Sequence, residues 1–530
     1  MQQKKLTPLL TKIYFTLKNK KIYFLAIIIN AFLFTYYYGY RGIFPIDSFL
    51  IYDAGYKVLN NIHPFKDYWS ITGPLLDYVQ ATLFFLFKVN WFSYVLHSAL
   101  INCLLASISY YFYLKLGLNK NYSLIYSLGI SILAYPTIGT PFMDYHAVIF
   151  SLLSIIFLIL AFIKDKKKFW FFSSLFLFFS FFSKQIPSAY LIILLLLLIS
   201  LYFFLINTKK NNNYLFFFFG GIITLFSFYI LFVANEIPIK NFLIQYIFYP
   251  ISIGDNRVTS LSFDLKNIFF QFKFIYLALF PLLIVGIVLI KFKKKSVENK
   301  KDLLIILLVL SSALVFIYSQ LLTKNQVLIF FLIPFYLGVS QIFVCKYYNK
   351  KILIYFIISI FVITSIKYHL RFNEHKKFME LINANFSIAE NANVLDASLS
   401  GLKWITPKFL TNPILEMEML NEAKKNIIED KSNKILITDY QFLASVTNNK
   451  FYAPNKWFDD LSVPPKKNKY FETYKLFFTS KLKEQKIKTL YLIGSSKIGY
   501  ISFIFDNKEC LNYKKINEIT LKVDIANCIY

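Results

Sequence analysis

The 530-residue chain is poor in charge: only 16% of its residues are Asp, Glu, Lys or Arg, against roughly 25% in a soluble domain. With 57% hydrophobic and 20% aromatic residues, that scarcity excludes an ordinary soluble globular protein. Cysteine is also scarce. Cys103, Cys345, Cys510 and Cys528 are too few for a disulfide scaffold and show no metal-ligand spacing. Acids are outnumbered two to one, 29 against 58 Lys and Arg, for a formal charge of +29. In a soluble protein that balance would suggest nucleic acid as partner. The excess lies in the apolar part, however: residues 1–368 hold 34 of the basic residues and 11 of the acids. No nucleic acid is therefore expected. No internal repeat is visible, and the only low-complexity stretches are Phe/Leu runs. The basic N-terminus leads into a long apolar run without a small-residue cleavage site, so the first span is expected to stay in place.

What is abundant is apolar sequence in runs of the roughly 20 residues that cross a bilayer. Eleven such runs are found at 22–40, 92–114, 122–138, 147–163, 169–183, 189–207, 214–234, 268–290, 302–321, 327–344 and 352–367. Residues 72–88 begin with Gly73-Pro74 and carry Asp77 and Gln80. If they crossed the membrane, every later lysine cluster would turn outward, against the positive-inside rule. They are therefore assigned to the outer interface, as part of a first outer loop (41–91) with short surface helices. The expected fold is a polytopic α-helical membrane protein with about 11 spans, in the inner (plasma) membrane, N-terminus cytoplasmic. Residues 369–530 then form an extracytoplasmic α/β domain, with strands at 392–397, 434–439, 488–494 and 501–505 and helices at 413–430 and 470–485. There a Cys510–Cys528 disulfide is chemically allowed, with two buried thiols as the alternative.

This topology puts Asp47, Asp53, Asp67, Asp77, Asp144, Glu236, Asp255 and Asp264 on the outer side. Asp47 directly follows span one in RGIFPIDSFLIYDAGY, and Asp144 begins a span in YPTIGTPFMDYHAVIF. Two carboxylates on neighbouring outer loops can face one cavity as base and as orienting or metal-binding group. Either can instead be a helix N-cap. Asp53 and Asp77 read as solvated faces of amphipathic helices, and His63 and His146 as ordinary polar contacts or metal ligands. Lys184 interrupts apolar sequence in FFSKQIPSAY, where it can meet a lipid phosphate or snorkel from a helix end. Arg257, in IGDNRVTS, is a second phosphate candidate.

These residues resemble the GT-C superfamily of polytopic glycosyltransferases, which includes protein O-mannosyltransferases and lipid A aminoarabinose transferases. The resemblance rests on Asp47 after span one, on HPFKDYW (63–69) and GPLLDY (73–78) in the first outer loop, and on Asp144. It covers about residues 1–368. Ser48 stands where many members carry a second acid. The resemblance implies an inverting transfer from a polyprenyl-phosphate-linked sugar to an envelope acceptor at the outer face. Asp47 would take the acceptor proton, Asp144 would orient the acceptor or bind a metal, and Lys184 or Arg257 would meet the leaving phosphate. Tyr68 and Trp69 would stack on a sugar, with Asp67, His146 and Gln185 completing the binding site. Cofactors are unknown, a divalent metal among them. The competing readings are a transporter or flippase, and an O-antigen polymerase or ligase.

Overall fold

The computed structural model describes residues 20–206, 212–259, 266–292, 296–323, 329–348, 350–494, 499–500, 504–505 and 509–529. A helix occupies each of the eleven apolar segments: Lys20–Gly39, Trp91–Lys115, Lys120–Leu133, Met143–Lys164, Lys167–Ser183, Ser188–Leu205, Leu215–Ala234, Gln271–Phe292, Val297–Thr323, Leu332–Tyr347 and Lys351–Tyr368. Among the described residues, eight helices are long and apolar enough to cross a membrane. This is the pattern of a polytopic membrane protein. The other three are shorter, at 14, 17 and 16 residues for Lys120–Leu133, Lys167–Ser183 and Leu332–Tyr347. The first is cut short by the turn at Pro136, the second by Lys184. Segment 72–88 is a 13-residue helix, Leu75–Phe87, shorter than any of these eleven.

Polar side chains fix the helix ends and pairings. Asn90 caps Trp91–Lys115 by accepting from Ser93 N at 2.8 Å. Met143–Lys164 and Lys167–Ser183 pack closely through serines: Ser151 meets Ser180 at 2.8 Å, Ser180 donates to the Ala147 carbonyl at 2.7 Å, and Ser173 donates to that of Ser154 at 3.0 Å. Small hydroxyl residues let the two backbones approach and satisfy each other without water.

The C-terminal part carries a two-stranded pair, β1 (Glu390–Asn391) with β2 (Lys403–Trp404), and a four-stranded sheet. The sheet contains β3 (Lys434–Thr438), β4 (Thr489–Ile493), β5 (Asn512–Lys515) and β6 (Thr520–Asp524), in the order β3-β4-β6-β5. β3 and β4 are parallel with Phe471–Glu484 in the crossover, while β6 is antiparallel to both its neighbours. Residues 392–397 are not a strand. They form two short 3-10 turns, because the Asp396 carboxylate accepts from Ser398 N at 2.9 Å and bends the chain. Of the 501–505 strand, 501–503 lie outside the described residues. Cys510 and Cys528 form a disulfide that ties the start of β5 to the C-terminal turn.

The two parts share a core. Phe49, from the first loop, packs on Trp404 and Phe442 with centroids at 6.1 and 4.8 Å. Backbone bonds from Gly42 and Ile43 to Lys403 and Ile405 join the end of the first span to β2. Helix Leu50–Leu59 is thus almost wholly buried under the C-terminal part, and is not a surface helix. Asp53 and Asp77 correct the expectation of solvated faces in the same way. Asp53 pairs with Lys57 at 2.7 Å and Asp77 with Lys456 at 2.6 Å, all four side chains under 8% exposed. A buried charge is tolerated only with such a partner. Burial pushes Asp77 above and Lys456 below its ordinary pKa, and each partly restores the other.

Candidate functional site

Three close backbone approaches bring the candidate residues together. Gly139, at φ +82°, lies so near the end of the first helix that a Cβ would fall 2.3 Å from the Gly39 Cα. Only glycine fits there, and the contact carries the Asp144 turn alongside the chain leading to Asp47. Ser98 Oγ holds the same turn by donating to the Gly139 carbonyl at 2.7 Å. On the other side, a Cβ on Gly73 would fall 1.8 Å from the Phe182 carbonyl oxygen, and Gly73 N donates to the Ser183 carbonyl at 3.2 Å. The first loop is thereby pressed against the residues just before Lys184. Finally, Trp69 pairs through its backbone with Pro454 and Lys456, which brings 457–461 of the C-terminal part over the same place.

Between these segments is a cavity of about 720 Å³, lined by Asp47, Asp144, Lys184, Thr72, Trp457 and Asp459 among others. That is within the roughly 300–1,000 Å³ of small-molecule sites. Its remaining walls are largely apolar and include Ile71, Phe181, Ile251 and Leu322. Asp47 follows the end of Lys20–Gly39, Asp144 is in the first turn of Met143–Lys164, and Lys184 directly follows Lys167–Ser183. All three therefore lie at the helix ends opposite the lysine-rich ones.

Asp47 is in a single helical turn, Pro45–Ser48, whose conformation is set by Pro45 and by Ser48 Oγ accepting from Phe44 N at 3.1 Å. Its carboxylate caps nothing and, among the described residues, accepts no hydrogen bond. Burial, then the neighbouring carboxylates of Asp144 and Asp459, push its pKa from 3.8 up to about 7, which Lys184 partly opposes. Asp144 is not a cap either: it pairs with Lys184 at 2.6 Å. Lys184 is the one cation among the described residues lining the cavity. Such an arrangement suits proton abstraction at Asp47 beside an ammonium that meets developing negative charge.

The other expected site residues divide. Gln185 lines the cavity, but its amide is spent on the Ile71 and Tyr246 carbonyls, at 2.9 and 2.6 Å. Asp67, Tyr68 and Trp69 do not reach it. Asp67 accepts from His63 N at 2.7 Å, and Tyr68 OH donates to Asp77 at 3.1 Å. Trp69, 1% exposed, packs on Tyr474 at 5.3 Å. These three build the seam with the C-terminal part because that part covers the loop. From this stretch of the loop the residues that line the cavity are Ile71 and Thr72, which join Phe44, Ile46, Asp47 and Leu50 from its start. His146 is buried against His97 at 3.1 Å and Tyr135, and His63 meets Tyr78 at 3.0 Å. Among the described residues no group of three or more His, Cys, Asp or Glu side chains is placed to hold a metal ion. The side chain of Arg257 lies outside the described residues. Sequence reasoning missed Trp457 and Asp459. Their only signal is KWFDD (456–460), an aromatic beside paired acids in the part read as extracytoplasmic.

No family model matches the chain, and no curated protein matches it at a significant level.

Proposed function

We propose that the protein is an integral membrane glycosyltransferase of the GT-C type, moving a sugar from a polyprenyl-phosphate donor to an envelope acceptor at the outer face, with inversion. The observation that carries this is Asp47: a carboxyl without a protein hydrogen-bond partner among the described residues, raised to about 7, in a cavity that also holds an ammonium and long apolar walls. A general base works best with a pKa near the operating pH. Asp47 takes the acceptor hydroxyl proton as its oxygen bonds to the anomeric carbon. The bond from that carbon to the phosphate oxygen breaks, and the Lys184 ammonium meets the charge left on the lipid phosphate. The apolar walls suit the prenyl chain. Asp144 holds Lys184 in position.

Eleven crossings with an inside N-terminus belong to the same proposal. Two independent features support them. Lysines gather at the helix ends opposite the cavity. The Cys510–Cys528 disulfide is of a kind that persists in an oxidising compartment, and it belongs to the part that covers the cavity.

The test is comparative mass spectrometry of envelope lipids and glycans from cells with wild-type protein, Asp47→Asn, or none. Loss of one glycosylated species in both altered strains is expected. Unchanged glycans in an Asp47→Asn strain that makes normal amounts of protein refute the reading.

A further inference from the structure

The cavity has one wall that the proposed chemistry at Asp47 and Lys184 leaves unused. Residues Trp457, Asp459 and Leu461 all line it, and they come from the C-terminal part. This wall is rigid. At its base, Lys456 is ion-paired with Asp77 at 2.6 Å and donates to Thr72 Oγ1 at 3.1 Å, 1% exposed. At its tip, Asp459 Oδ1 accepts from Leu461 N and Ser462 N at 3.0 and 2.6 Å, and Ser462 Oγ returns a bond to the Trp457 carbonyl at 2.6 Å. One carboxylate oxygen therefore holds the loop. The other, Oδ2, accepts no hydrogen bond among the described residues. A pre-organised acceptor beside an indole that is 7% exposed is an arrangement built for a ligand that donates hydrogen bonds and presents an apolar face.

We infer that this wall is a carbohydrate subsite: Asp459 Oδ2 accepts from hydroxyls of a neutral sugar ring, and Trp457 covers the ring's C–H face. An anion at this wall is disfavoured, since its polar group is itself a carboxylate, Asp459, and Lys184, the one described ammonium of the lining, serves the lipid phosphate in the proposed transfer. A cation at the wall would favour ionised Asp47 and pull its pKa down from about 7, weakening it as a base. Neutral hydroxyls leave it poised. The inference rests on the transferase reading and names which part of that site recognises sugar.

The test uses the full chain in phosphatidylcholine nanodiscs. Trp69, Trp91, Trp170 and Trp404 are at most 1% exposed, so the ligand-dependent emission is that of Trp457, isolated by difference from Trp457→Phe. Octyl β-D-glucopyranoside, octyl phosphate, octylammonium and tail-free maltose are titrated. The glucoside is expected to bind saturably, and Asp459→Asn, whose Oδ1 can still hold the Leu461 and Ser462 amides, to weaken it by about 10-fold or more, as for a lost hydrogen bond to a charged acceptor. Trp457→Leu, read by calorimetry, should weaken it too. Competition by maltose would assign the subsite to the acceptor sugar, and binding of the tailed glucoside alone to the donor sugar. Equal affinity of wild type and Asp459→Asn overturns the inference, as does tighter binding of octyl phosphate or octylammonium through Asp459. Asp47 takes no part in this binding, so retained transfer in Asp47→Asn would remove the proposed function without touching the subsite. Loss of the Asp459 effect would do the reverse.

Discussion

Replacing Asp47 by Asn separates a functional carboxyl from a structural one, because only the first gains stability. A paired acid loses stability as Asn, and a helix cap gains none, since Asn caps about as well as Asp. Asp47 caps nothing and is raised from 3.8 to about 7 by burial and by the carboxylates of Asp144 and Asp459. For an acid whose folded pKa lies above its unfolded one, ionisation opposes folding. The penalty is absent below about pH 4, grows between 4 and 7, and is complete above 7. Three pH units correspond to about 4 kcal/mol as an upper bound. Water in the cavity lowers that figure. Asn carries no charge and escapes the penalty at every pH.

The assay is thermal unfolding of the purified protein in one detergent, wild type against Asp47→Asn, from pH 4.5 to 8.5. The variant should melt several degrees higher at pH 8 and no higher at pH 4.5, while transfer is lost throughout. In the wild type, kcat/KM should rise with pH through about 7, as the base sheds its proton. A variant that melts lower than wild type at pH 8, or a wild-type acid limb centred near 4, would refute the reasoning.

Gly73→Ala should cost activity before it costs expression: a Cβ at 1.8 Å from the Phe182 carbonyl forces the first loop away from Ser183, shifting Lys184. A displacement on the order of 1 Å can lower rates about 100-fold, measured as transfer per folded protein. Breaking the buried Asp77–Lys456 pair by Lys456→Met alone should destabilise by about 3–5 kcal/mol, and Asp77→Leu with Lys456→Met should recover much of it, as read from melting of single and double variants. With the C-terminal part outside, a membrane-impermeant maleimide should label Cys510 and Cys528 in intact cells only after reduction, read as a mass shift in a Cys103→Ser, Cys345→Ser background.

The helical scaffold was legible in the sequence because crossing a bilayer leaves little freedom: each span must be apolar for its whole length, and lysines collect on one side. All eleven segments are helices, eight of them among the described residues long and apolar enough to cross a membrane, and 72–88 holds a 13-residue helix. The three shorter helices were legible only as apolar runs, because hydropathy does not register a turn at Pro136 or the stop at Lys184. In the C-terminal part, β3 and β4 follow from fully buried apolar runs. β5 and β6 were missed: NYKK is exposed and has no hydrophobic signature, and the apolar alternation of Leu521, Val523 and Ile525 in and after TLKVD is short and interleaved with charge.

The site divides along the same line. Asp47, Asp144 and Lys184 could be found because each is an ionisable residue at the end of a span, where its cost demands a reason. Asp67, Tyr68 and Trp69 misled because a motif records which residues are present and not what covers them. Their stretch of the loop is roofed by 454–456, so Tyr68 and Trp69 are buried in a seam and Asp67 and Asp77 are held in ion pairs. The same roof explains why Asp459 was missed. It joins Asp47 and Asp144 through long-range contacts, among them the pairing of Lys456 with Asp77 and of Trp69 with Pro454, between segments nearly 400 residues apart that no local pattern encodes. Those contacts also give the C-terminal part a definite role. Its buried pair fixes the height of the roof, and the roof supplies the carboxylate that, after Asp144, does most to raise Asp47 toward neutrality. Removing Asp459 should therefore do more than weaken a ligand. With Asp144 and Lys184 unchanged, Asp459→Asn should move the acid limb of the wild-type pH profile to lower pH, the direction expected when a like charge leaves the neighbourhood of a base. A limb that stays in place would mean that the C-terminal part covers the cavity without tuning it.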